Sequence, residues 1–76
     1  MEKDIYYLVG QNIKKQRKLK GLTQEQLAQK IAYSTQFISN IESKNHQTFS
    51  LGTLWRIALV LDINISELFV EDDNEK

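Results

Sequence analysis

Seventy-six residues with ten Lys+Arg against ten Asp+Glu, no Cys and no Pro describe one small domain of zero formal net charge. At this size folding buries only about 60% of the unfolded chain's surface, so one modest core must hold the fold without disulfide or thiolate–metal support. The longest continuous apolar run, residues 57–61, is far too short to cross a bilayer, and Glu2 and Asp4 do not read as part of a secretory leader. Two-domain enzymes, secreted mini-proteins and membrane proteins are excluded on these grounds, and a small cytoplasmic domain is the expectation.

The zero net charge hides a gradient. Residues 1–49 hold eight basic against four acidic side chains, and residues 50–76 hold two against six. A chain so divided can turn a basic end toward a polyanion while its acidic end faces away or meets another partner; short chains also split this way by chance.

Taken in order, the residues predict helices with short connections. Asp4 is a candidate N-cap, and Ile5, Val9, Ile13 and Arg17 recur at fours on one face. Gly21 suits the left-handed end of that helix, with Leu22 as its hydrophobic contact. Thr23-Gln24-Glu25-Gln26 fits a capping box, and Leu27, Ala28 and Ile31 give the second helix its apolar face. That helix must end near Ile31, because Ser34 offers the next N-cap. The third helix carries Ile38 and Ile41, while Thr35, Gln36, Ser39, Asn40 and Ser43 are small or polar. A helix with so polar a face either meets solvent or binds something polar. Residues 44–49 form a loop. Ser50 then caps a fourth helix with a core stripe of Leu51, Leu54, Ile57, Ala58 and Leu61, and Asn64 or Ser66 opens a short fifth with Leu68 and Phe69 inward. Residues 71–76 are an acidic polar tail. The fold class is all-α.

Residues 23–42, two short helices joined by a three-residue turn with the second helix polar outward, have the form of a helix-turn-helix. Val9-Gly10, Ile13-Lys14, Arg17 and the run from Gly21 to Ala28 resemble the opening of a Cro/C1-type (XRE-like) domain. Ser34, Ile38-Ser39 and Ile41-Glu42 continue the pattern, and Ser50-Leu51, Thr53-Leu54, Arg56-Ile57-Ala58, Leu61 and Ser66-Glu67-Leu68-Phe69 complete it. The resemblance spans about residues 8–70. It implies a five-helix, lambda-repressor-like domain over residues 1–70, similar to phage repressors and restriction–modification controller proteins, and a bacterial or phage-encoded transcriptional regulator that binds DNA.

Physical chemistry supports the same use of the third helix. The major groove of B-DNA, about 12 Å wide, admits one α-helix, whose leading residues reach the base edges. Gln and Asn can pair bidentately with adenine, and a Thr methyl can meet a thymine methyl. The resemblance assigns base contacts to the positions of Thr35, Gln36 and Asn40. Phe37 beside them can either touch a thymine methyl or pack. The resemblance assigns backbone contacts to Gln24, where free amides and the helix dipole favour an anion, and to the loop of Lys44, Asn45 and His46; Ser34 can act as Gln24 does. Arg17 and Glu42 match a family ion pair that orients the recognition helix, a structural role beside which a phosphate contact from Arg17 stays open. Three positions depart from the family pattern: Ala32 stands where Gly is usual, Tyr33 where a smaller apolar residue is usual, and the loop after Glu42 lacks the family's Gly and Pro.

Trp55 and Leu59 lie one turn apart, off the core stripe. They suit a homodimer contact that would pair two readers on a palindromic operator; packing against Ile5, Tyr6 and Tyr7 or the fifth helix is the alternative. His46 is the only histidine and has no partner at metal-ligand spacing, no glycine-rich phosphate loop is present, and Asp72-Asp73-Asn74-Glu75 lacks the pattern of a calcium loop. No enzyme, metal, cofactor or small-molecule ligand is expected. A protein-interaction module on the same fold, such as an antitoxin, is the second functional reading.

Overall fold

Each helix in this chain begins at a side chain that accepts a hydrogen bond from its own first turn. In the computed structural model, which describes residues 4–44 and 47–71, these are Asp4 for α1 (Ile5–Leu19), Thr23 for α2 (Gln24–Ile31), Ser34 for α3 (Thr35–Glu42) and Ser50 for α4 (Leu51–Leu61). Asn64 does the same for a closing 3₁₀ helix, Ile65–Phe69. The Thr23 box closes in both directions, with the Gln26 amide donating to Thr23 Oγ1 at 3.0 Å and the Thr23 amide donating to Gln26 Oε1 at 2.8 Å.

Three of the four α-helices stop at a residue with positive φ: Gly21 (74°), Ala32 (64°) and Asp62 (58°). In each case the following amide reaches back five residues, from Leu22 to the Arg17 carbonyl, Tyr33 to Ala28 and Ile63 to Ala58. Carbonyls that the helix end would orphan are thereby satisfied. At Gly21 the missing Cβ makes this conformation free of strain, whereas at Ala32 it costs about 1 kcal/mol.

The four α-helices and the 3₁₀ helix enclose one core. Val9 and Ile13 of α1, Leu27 and Ile31 of α2, Ile38 and Ile41 of α3, Leu54, Ile57 and Leu61 of α4, and Leu68 are buried. Helix α1 packs on α3 and the 3₁₀ helix, and α2 packs on α3 and α4. The Asn12 amide nitrogen donates to the carbonyls of Leu68 and Val70, both at 2.9 Å, which fastens the last element to α1.

The sequence-based expectations need correction at four places. The fifth element is a five-residue 3₁₀ helix rather than an α-helix. Leu51, expected in the core stripe, is 73% exposed, although Thr53 and Leu54 of the same turn are buried. Phe69, expected inward, is 41% exposed, and Ile5 stands outside the core face of α1. With Leu54 and Phe49, these three side chains line an open apolar cleft at one end of the molecule.

Helix α1 crosses the end of α3 at Gly10. A Cβ built there would lie 1.8 Å from the Ile41 carbonyl oxygen, a backbone atom that cannot move aside without moving α3. Gly10→Ala should therefore lower stability by about 2 kcal/mol or more, read as a shift in the urea midpoint. An unchanged midpoint would contradict the close approach of the two helices.

Candidate nucleic-acid interface

Glu42 is the last residue of α3, where a carboxylate meets the negative end of the helix dipole and is unfavourable by itself. Arg17 of α1 reverses that sign. Its Nε donates to Glu42 Oε2 at 2.8 Å and its Nη2 donates to Oε1 at 2.9 Å, a bidentate pair with both residues buried (6% and 4% exposed). The third guanidinium nitrogen, Nη1, donates to the Leu22 carbonyl at 2.7 Å, so one side chain ties the end of α1, the turn after it and the end of α3. The Gln24 amide nitrogen adds a bond to Glu42 Oε1 at 3.1 Å, and that of Gln11 satisfies the Glu42 carbonyl at 2.9 Å. No buried side-chain nitrogen or oxygen among the described residues lacks a partner.

This clamp fixes which way α3 faces. Ile38, Ile41 and Glu42 turn inward, and Thr35 and Gln36 at the leading end are exposed, with Asn40 half-buried one turn on. Gln36 Nε2 donates to Asn40 Oδ1 at 2.9 Å, Asn40 Nδ2 donates to Gln47 Oε1 at 3.3 Å, and Gln47 Nε2 donates to the Thr48 carbonyl at 3.0 Å. The polar face is thus a connected row of amides. Gln47 was not singled out from the sequence, where nothing but its position in the loop marked it.

The other expected residues fall into three groups. Ser34 is exposed, and its hydroxyl accepts from the Phe37 amide as the helix cap. Lys44 is exposed just beyond α3; Asn45 and His46 lie outside the described residues. Gln24 sits at the start of α2, yet its side chain is engaged with Glu42, so an anion there meets the backbone amides of the first turn.

The turn between α2 and α3 is held from below. Phe37 is half-buried, with its ring 4.5 Å from that of Tyr33, and the Tyr33 hydroxyl meets Thr53 Oγ1 at 2.7 Å. Thr53 in turn bonds the Ser50 hydroxyl at 2.9 Å and donates its amide to it at 3.0 Å. The large residue at position 33 therefore braces the turn on the first turn of α4.

On the far side of α4, Leu51, Trp55 and Leu59 follow one another at fours, and Trp55 and Leu59 are 51% and 59% exposed. Trp55 also lines a shallow apolar cleft with Leu51 and with Ile65 of the 3₁₀ helix. Among the described residues no three His, Cys, Asp or Glu side chains gather as a metal site, and no helix is long and apolar enough to cross a membrane.

Comparison with known proteins gives this geometry a setting. The profile described as Helix-turn-helix matches residues 13–68, which takes in the clamp, α3 and α4. The chain belongs to the helix-turn-helix family, of the Cro/C1 type. It is 33% identical over 66 residues to the HTH-type transcriptional regulator SinR of Bacillus licheniformis, a match covering 87% of this chain and 60% of that protein. The chain thus spans under two thirds of that relative's length. Among solved structures it is similar to the restriction–modification controller protein C.AhdI from Aeromonas hydrophila, with a TM-score of 0.77 and 31% identity over 84% of this chain and 96% of that one. It is also similar to the biofilm master regulator SinR solved in complex with DNA, with a TM-score of 0.75 and 32% identity over 82% of this chain and 98% of that one.

The clamp predicts a large and asymmetric mutational response. Glu42→Ala leaves the Arg17 guanidinium buried without its carboxylate and should cost about 3–5 kcal/mol in urea unfolding, while Arg17→Met with Glu42→Leu should restore most of the loss. A loss under about 1 kcal/mol in the single variant would show the pair to be dispensable.

Proposed function

We propose that this chain is a sequence-specific DNA-binding transcriptional regulator, a repressor or controller, that lays α3 in the major groove. The carrying observation is the division of α3: its apolar side and Glu42 are sealed against the chain's own body, while Thr35 and Gln36 stand exposed at its leading end. The relatives support the same reading, since one of the similar structures is a regulator in complex with DNA.

In this reading Thr35, Gln36 and Asn40 meet base edges. Ser34, the start of α2 at Gln24, and the loop of Lys44, Asn45 and His46 meet phosphates, which supply affinity without sequence information. Arg17 and Glu42 touch no DNA and act by holding the angle at which α3 leaves the body. Residues 1–70 form the working domain and 71–76 the acidic tail. A bacterial origin accords with the relatives; a cytoplasmic location, for a bacterial or phage-encoded protein, is part of the same reading.

The reader is short, and two copies related by a two-fold axis would double its contacts on a palindrome with half-sites about 34 Å apart. Leu51, Trp55 and Leu59 on α4 provide the apolar patch for that contact, continued by Ile65 across a shallow cleft. The relatives do not favour the alternative of an antitoxin or protein-interaction module on the same fold.

Two substitutions separate the roles on α3 and after it. On a duplex selected from a random pool, Gln36→Ala should cost about 1–3 kcal/mol and relax preference at one base pair. Lys44→Ala should weaken all duplexes alike and lower the salt slope by about one; an unchanged slope removes Lys44 from the interface. For the α4 patch, Trp55→Glu should give a folded monomer in sedimentation equilibrium at concentrations where the parent chain is dimeric, and a dimer that persists would move the contact elsewhere.

A further inference from the structure

The row of amides on α3 has a direction, and its direction is set outside the helix. A backbone carbonyl can only accept, so Gln47 must turn its Nε2 to the Thr48 oxygen. Its Oε1 then faces Asn40, which answers with Nδ2, and Asn40 Oδ1 faces Gln36, which answers with Nε2. Each of these amides could be turned round if it stood alone. Linked in series, all three take their orientation from one carbonyl. Turning Gln36 by itself would lose its bond and bring two oxygens, Gln36 Oε1 and Asn40 Oδ1, face to face.

At the outer end the chain leaves Gln36 Oε1 and the second hydrogen of Nε2 without a partner among the described residues. One acceptor beside one donor matches the major-groove edge of adenine, which offers the N6 amino group and the N7 acceptor. Guanine offers two acceptors, O6 and N7, and would oppose the Gln36 oxygen.

We propose that Gln47 is a positioning residue for base readout: through Asn40 it holds the Gln36 amide so that the facing base is read as adenine and guanine is refused. The inference rests on α3 being the groove helix, and it assigns a specificity role to a loop residue that itself reaches no base.

The test uses the full chain and duplexes enriched by it from a random pool. The base pair read by Gln36 is the one at which Gln36→Ala loses its preference. At that pair the parent chain should favour adenine over guanine by about tenfold or more, and Gln47→Ala should remove most of that ratio. Gln47→Glu keeps an acceptor for Asn40 Nδ2 and should retain the adenine preference while binding every duplex more weakly. Gln47→Lys can only donate, and should turn both amides and shift the preference toward guanine. All three should remain folded, since Gln47 lies outside the buried core. Full adenine preference in Gln47→Ala, or its loss in Gln47→Glu to the same extent as in Gln47→Ala, would overturn the relay alone. A parent chain that enriches no sequence would overturn the groove-helix reading and the relay with it.

Discussion

A guanidinium from α1 closing on a carboxylate at the end of α3 is the contact on which the rest of this molecule depends. Without Arg17, Glu42 would place an uncompensated buried negative charge at the negative end of a helix dipole. With it, the geometry is bidentate, and a planar fork against a planar carboxylate fixes rotation as well as distance. Gln24 and Gln11 complete the cluster from α2 and α1, so all three helices meet at one residue. Gly10 makes the meeting possible by leaving room for the Ile41 carbonyl.

Holding one end of α3 so firmly decides what its other end can do. The helix has eight residues and spends Ile38, Ile41 and Glu42 on its own fold. Its leading turn is left outward and its turn from α2 is braced through Tyr33, Thr53 and Ser50. A rigid body with a polar edge loses little conformational entropy when that edge meets a partner, which is what a reader of base edges needs. The exposed apolar face of Leu51, Trp55 and Leu59 lies on a different helix.

Most of the backbone plan was legible in the residues. The five capping side chains stand at Asp4, Thr23, Ser34, Ser50 and Asn64, all of them candidates from local chemistry, because a cap is decided within three residues. Ala32 holds the left-handed turn in place of glycine, since its single methyl makes the strain small against the packing on either side. Periodicity was less informative at the edges. It placed Leu51 and Phe69 on an apolar face, but a face becomes a core only where another element covers it, and at that end of the chain nothing among the described residues does. Apart from the Arg17–Glu42 pair, which the family pattern supplies, side-chain contacts between elements were the least legible. The bond from Gln24 to Glu42 and the one from Asn40 to Gln47 depend on how helices and loop are brought together, which no local pattern encodes.

An NMR titration of the full chain with a short duplex at low salt tests the central claim without any substitution. If α3 is the reader, amide and side-chain NH2 shifts should concentrate on Thr35, Gln36 and Asn40, with a second set at the start of α2 and at Lys44. Perturbations confined to the Leu51, Trp55 and Leu59 face, or none at all as duplex is added, would show that the outward side of α3 is not where this protein meets DNA.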